Sequence, residues 1–176
     1  MVPLASARLT FRTWTSEDLE LAEALWCDPE VTFFFGGALT REQAKERLSL
    51  ECERGDRLGI QYWPIFLREN GAFAGCAGLR PWSMDPDVLE AGVNLMRSAW
   101  GMRLGEEALL AVLDYGFRIL GAPRIVAGHG AEHHNSRKLL ERTGFEYTHN
   151  ILWGPAKIDV CMWAITAEMF HRQAPR

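Results

Sequence analysis

The 176-residue chain has little of what marks the specialised classes of protein. Its four cysteines, Cys27, Cys52, Cys76 and Cys161, show no C-x-x-C spacing. They read as small buried hydrophobes or free thiols, not as a zinc site or a disulfide framework. No apolar run approaches the ~20 residues of a membrane span, so no membrane partner is expected. No repeat, low-complexity tract or Pro/Gly-rich linker divides the chain, and one domain over 1–176 is expected. Positive charge is not in excess. The net charge is −4, with 11 acids and 7 bases in residues 1–60 and 12 of each in the remainder. That balance argues against a nucleic-acid-binding surface. The first residues, Met1–Arg8, carry neither a basic stretch nor a long apolar one, so the expected location is cytoplasmic.

What is present suits a folded domain. Hydrophobic residues make up 48% of the chain and charged residues 24%, enough apolar surface for one sizeable core and too much for disorder. Arg8–Arg12 alternates like a strand. Thr15-Ser16-Glu17-Asp18 has the spacing of a capping box before an apolar run, Leu19–Trp26, and Thr40-Arg41-Glu42-Gln43 has the same spacing before a helix expected to reach about Gly55. Strands are predicted over Ile60–Leu67 and Ala72–Leu79, joined by a type I′ turn at Asn70-Gly71. A third follows over Val88–Met96.

Residues 97–105 form a loop that passes directly into a helix carrying Leu109, Val112, Leu113, Phe117 and Leu120 on one face and ending at Gly121. Arg124–Ala127 is a strand, Ser136–Arg142 a short helix stopped near Gly144, and the stretch from Phe145 to about Thr166 supplies two strands. The order is β-α-α-β-β-β-α-β-α-β-β. One strand–loop–helix–strand crossover among antiparallel hairpins implies a mixed α/β fold, with about seven strands in the sheet and helices on both faces.

Two segments carry the chemistry. In the first, a strand beginning near Glu90 empties into Trp100-Gly101-Met102-Arg103-Leu104-Gly105-Glu106, and a helix starts at once. Helix N-termini leave N–H groups unpaired and carry partial positive charge, and Arg97 and Arg103 add more, so the turn suits an anion. Taken alone it reads first as an ordinary loop before a helix. In the second, His133-His134-Asn135-Ser136 precedes a short basic helix closed by Gly144-Phe145; on local grounds Asn135 or Ser136 caps that helix. His129, His133 and His134 lack a helical H-E-x-x-H frame, and no metal site is expected. Phe33-Phe34-Phe35, before Gly36-Gly37, reads first as core and second as a wall of an acceptor site. Trp63, Trp82, Trp153 and Trp163 read mostly as core. His149 and Asp159 in the last strands read as surface or hairpin residues.

Together these segments resemble the GNAT superfamily of acyl-CoA-dependent N-acyltransferases, in its RimJ/RimL-like branch. The residues that carry the resemblance are Trp100–Ala108, Glu90 ten positions before the tryptophan, Ser136 with Gly144-Phe145, and the opening Arg8-Leu9, Arg12, Glu17-Asp18 and Asp28-Pro29-Glu30-Val31. The resemblance implies acetyl-CoA as donor and a primary amine as acceptor: a peptide or protein N-terminus of ribosomal-protein type, or a small amine such as a polyamine, amino acid or aminoglycoside. It implies that Asn94-Leu95-Met96 pair their backbone with the pantetheine arm, and that residues 97–106 cradle the pyrophosphate, with Asn135 nearby. Glu90 would take the proton of the amine and Ser136 would hydrogen-bond the leaving thiolate. A homodimer is common in similar proteins.

Three positions depart from the family pattern. Arg103 replaces a glycine of the pyrophosphate loop, His133 replaces an asparagine three residues before Ser136, and Leu140 stands where many relatives place a tyrosine that protonates the thiolate. A non-catalytic acyl-CoA-binding module is the competing reading that these departures support.

Overall fold

The computed structural model describes residues 1–154 and 157–173; positions 155 and 156, between the last two strands, lie outside the described residues. Chain order is β1 (Leu9–Phe11), α1 (Leu19–Trp26), α2 (Pro29–Thr32), α3 (Arg41–Leu58), β2 (Tyr62–Leu67), β3 (Phe73–Trp82), β4 (Asp85–Leu95), α4 (Leu104–Asp114), β5 (Arg124–Gly130), α5 (His134–Arg142), β6 (Glu146–Trp153), β7 (Ile158–Thr166) and α6 (Ala167–Gln173). The seven strands form one sheet in the order β1-β2-β3-β4-β5-β7-β6. β4 and β5 form its parallel pair, and the other neighbours are antiparallel. This is the mixed α/β fold expected from the sequence, with the short α2 and the terminal α6 in addition.

Each face of the sheet buries its own apolar set. On one face α4 lays Leu104, Ala108, Leu109, Val112 and Leu113 against Trp63, Leu79 and Ile125. On the other, α1 and α3 bring Leu25, Trp26 and Leu48 onto Trp14, Tyr62 and Cys76. A polar brace links α3 to β2 beneath that second face. Glu51, 4% exposed, accepts the Tyr62 N–H at 2.8 Å and pairs with Arg54 at 2.8 Å.

Local signals behave as their chemistry dictates in some places and not in others. Thr40 and Gln43 form both bonds of a capping box, and α3 runs on beyond Gly55 to a left-handed Gly59. At α1 the box is incomplete: Asp18 accepts the Thr15 N–H at 2.8 Å, but the Thr15 hydroxyl also donates to Asp18 instead of capping it. The Asn70-Gly71 turn is not type I′. Gly71 alone has positive φ, and the Asn70 side chain accepts from Ala72, giving a longer loop closed between Leu67 and Ala72. After Asp114 the helix widens into a π-turn that pairs Leu120 with Tyr115, and Leu120 emerges 37% exposed instead of joining the apolar face.

Candidate active site

The site begins where β4 and β5 part. β4 stays hydrogen-bonded to β3 as far as Leu95, and β5 to β7 as far as Gly130, but β4 and β5 pair only at Leu89–Ile125 and Glu90–Val126. Beyond Glu90 the sheet opens into a V. Gly75 helps hold β4 on the β3 side: at φ +132°, a Cβ there would lie 2.1 Å from the Asn94 carbonyl oxygen, so no other residue allows this approach. The gap is a cleft of about 490 Å³ that runs past Glu90, Val93, Asn94, Gly128, Ser136 and Leu140.

The backbone exposed in the V differs from the expected set. Met96 donates its N–H to Ala74 across β3. By the two-residue alternation of a strand, Asn94 also faces β3, whereas Ala91, Val93 and Leu95 turn their N–H and C=O groups towards the gap. Asn94 lines the cleft with its side chain instead, with Oδ1 accepting from Arg47 Nη2 at 3.3 Å.

Past Leu95 the chain turns into α4. The Trp100 indole donates to the Leu95 carbonyl at 3.0 Å and Arg8 donates to the Met102 carbonyl at 3.0 Å, which fixes the turn at both ends. Glu107 ties Arg8 down in turn at 2.7 Å. Gly101 has φ +74° and open space where a Cβ would sit, and Arg103 adopts the left-handed conformation at φ +58°, ψ +20°. No side chain caps α4, and the first helical bond runs from Glu107 to Arg103. The N–H groups of Leu104, Gly105 and Glu106 therefore remain available, a cradle of the kind a pyrophosphate fills.

Packing does not require a glycine at Gly105: a Cβ there would meet Leu95 at 3.5 Å and Leu139 at 3.7 Å, in ordinary contact. One expected participant points elsewhere: Arg97 pairs with Glu30 at 2.9 Å. Glu106 offers its backbone N–H, while one of its carboxylate oxygens is buried without a partner among the described residues.

The α5 side also departs from expectation. His133, not Asn135 or Ser136, caps the helix, its Nδ1 accepting the Ser136 N–H at 3.4 Å. Ser136 sits one turn in, lining the cleft with its hydroxyl uninvolved in capping, while Asn135 is exposed and outside the cleft. Burial, with His129 and His134 nearby, pushes His133 down to about 4, so its ring is neutral near pH 7. Phe34 stacks on that ring at 4.1 Å between centroids. Leu140 is buried and lines the cleft without a hydroxyl, as its position in the sequence implied.

At the far end stand Glu90 and the residues around it. Arg80 donates to Glu90 at 2.8 Å and lies 5.7 Å over the Tyr62 ring, whose phenol burial pushes well above its ordinary value. The Glu90 side chain is only 16% exposed, and its second oxygen has no partner among the described residues. Phe34, Trp82 and Trp153 line the cleft instead of joining the core, and Phe33 is 71% exposed. Trp63 and Trp163 are core, as expected. His129 is held between the Gly130 carbonyl and the Trp163 indole N–H. His149 and Asp159 lie outside the cleft, and no group of three or more potential metal ligands occurs among the described residues.

Sequence reasoning missed Arg47, Arg80, Tyr62 and Trp153 as cleft residues. No local motif marks them, because they arrive from α3, β3, β2 and β6.

Comparison with known proteins agrees with this geometry. The family model described as "Acetyltransferase (GNAT) domain" matches residues 8–146. The chain is 28% identical over 148 residues to the uncharacterised N-acetyltransferase p20 of Bacillus licheniformis, covering 83% of each. Its fold superposes on RimL, a ribosomal L7/L12 alpha-N-protein acetyltransferase solved with coenzyme A, with a TM-score of 0.78 at 15% identity over 94% of this chain and 98% of that one. It superposes equally on a spermidine N-acetyltransferase of Vibrio cholerae, with a TM-score of 0.77 at 16% identity over 93% of this chain and 98% of that one. At such identities the likeness is one of fold and leaves the acceptor open. An uncapped helix terminus beside a splayed parallel strand pair, together with the match over residues 8–146, makes this chain a member of the GNAT acetyltransferases, enzymes that use acetyl-CoA.

Proposed function

We propose that this enzyme is a cytoplasmic, RimJ/RimL-like acetyltransferase acting on an α-amino group, such as a peptide or protein N-terminus. The observation that carries the reading is the position of Glu90 in the cleft at the apex of the V, with one oxygen held by Arg80 and the other without a partner among the described residues. Arg80 engages one Glu90 oxygen, which leaves a single oxygen to receive a proton. An acceptor that is already partly neutral asks least of it. An α-amine has a pKa of about 7.7–8.0, so roughly a tenth is neutral at pH 7, against well under a thousandth for a lysine-type amine near 10.4.

Bound acetyl-CoA supplies an activated acetyl thioester. The chain's own groups do the remainder. The α4 N-terminus and Arg103 hold phosphate, and the outward N–H groups of Val93 or Leu95 hydrogen-bond the oxygen on which charge develops. Glu90 receives the amine proton as the N–C bond forms. The Ser136 hydroxyl hydrogen-bonds the departing sulfur, in the absence of a tyrosine at Leu140.

Two measurements test this. Calorimetric titration with CoA and acetyl-CoA reads the donor site, and thiol release reads turnover over a panel of N-terminal peptides, spermidine and an aminoglycoside. Micromolar binding, about −8 kcal/mol, with turnover of α-amines is the expected result. Binding without thiol release from any amine would identify a non-catalytic acyl-CoA-binding module.

A further inference from the structure

The cleft carries an uneven charge. Among the described lining residues the charged side chains are Arg47, Arg80 and Glu90, two cations to one anion. Arg80 and Glu90 pair through one contact. Arg47 is different: it makes no ion pair among the described residues. Half-buried, it lies 4.3 Å over the Trp26 ring and gives one hydrogen bond, to Asn94. Arg80 lies 5.7 Å over the Tyr62 ring, and Tyr62 belongs to the same buried cluster as the Trp26 under Arg47.

A partly desolvated guanidinium is costly unless an anion completes it, and its planar fork matches a carboxylate. Phe34, Trp82 and Trp153 supply apolar wall to the same cleft. A polyamine or aminoglycoside finds the opposite of what it needs there. Glu90 serves the reacting amine, and a second ammonium group would face Arg47 with no carboxylate to meet it.

We propose that the acceptor is an amine that also carries a carboxylate, which Arg47 binds, with Arg80 reinforcing the positive field. The proposal rests on the reading of this cleft as the acetyl-acceptor site and narrows it. The carboxylate can come from a free amino acid or from an acidic first residue of a peptide. The same positive field disfavours the protonated amine, easing the task of Glu90.

The test compares matched acceptors in the thiol-release assay: peptides beginning with Glu or Gln, and a free amino acid beside its amide. In the wild type, the carboxylate member of at least one pair is expected to have a kcat/KM about tenfold or more above its neutral partner, the usual size of a charge-assisted hydrogen bond. Which pair shows the preference identifies the source of the carboxylate. In Arg47→Gln that preference should collapse towards unity, and in Arg47→Lys, which keeps the charge and loses the fork, it should be partial.

Equal rates within both pairs, a preference undiminished in Arg47→Gln, or spermidine as the best acceptor would overturn the proposal. If no amine turns over, the failure belongs to the enzymatic reading. The carboxylate site is then read by titrating the CoA-bound protein with N-acetylglutamate and its amide, where equal affinity overturns it and a preference lost in Arg47→Gln upholds it.

Discussion

Arg103 offers a sharp test, because one residue carries two effects of opposite sign. It stands at φ +58°, where an L-residue is strained by about 1–2 kcal/mol. Glycine relieves that strain but loses about 0.5–1 kcal/mol through the greater freedom of its unfolded chain. Arg103→Gly should therefore stabilise the fold by about 0.5–1 kcal/mol, a rise in Tm of about 1–4 °C for a chain of this size. The exposed guanidinium has no partner among the described residues, so its loss costs no contact there. It should weaken CoA binding about three- to tenfold, or roughly 0.7–1.4 kcal/mol, and the difference should shrink as salt rises. Arg103→Ala separates the two effects: it keeps the strain and removes the charge, so Kd should rise as in the glycine variant while Tm does not increase. Thermal denaturation and calorimetric titration at low and high salt decide the matter. An unchanged or lower Tm in the glycine variant refutes the strain argument, and an unchanged Kd in both variants refutes the phosphate role.

Three further expectations follow from the site. Glu90→Gln should lower kcat by about 10²-fold or more, the usual range for a general base, with little change in KM for acetyl-CoA; full turnover near neutral pH would remove Glu90 from the mechanism. Ser136→Ala should reduce kcat severalfold while leaving Tm within about 1 °C, since His133 provides the cap; a large fall in Tm with normal rates would contradict that assignment. His133, near 4 when folded against an ordinary 6.5, binds a proton less readily in the folded state, so stability is present above 6.5 and declines as pH falls towards 4. The loss is at most about 3 kcal/mol, and about 1–2 after discounting for partial exposure. Denaturant midpoints between pH 7 and 5 should fall more steeply in wild type than in His133→Asn.

What could be read from the sequence were features encoded within a few residues of one another. The Thr40–Gln43 box, the glycine-rich turn before Leu104 and the strand–helix alternation each depend on local bonds, and the chain forms them wherever it folds. The family motif belongs to the same class, because Trp100 to Ala108 is one turn and the start of one helix. Even within such segments the choice between rival donors was not local. His133 took the cap from Asn135 because Phe34, a hundred residues earlier, stacks on its ring and burial keeps it neutral. Arg97 left the phosphate turn because Glu30 lies within its reach.

The cleft itself exists only in three dimensions. β4 and β5 separate beyond Glu90 because their register supplies two paired positions and Gly75 admits β4 towards β3, a relation no window of sequence displays. Arg47 and Arg80 meet beside Tyr62 because α3 crosses the face on which β2 and β3 pair. The sequence by itself therefore determined the fold and the turn into the helix at Leu104, which rest on local hydrogen bonding and apolar periodicity. The charge and shape of the cleft were decided by tertiary structure, which alone brings side chains from separate elements to one point.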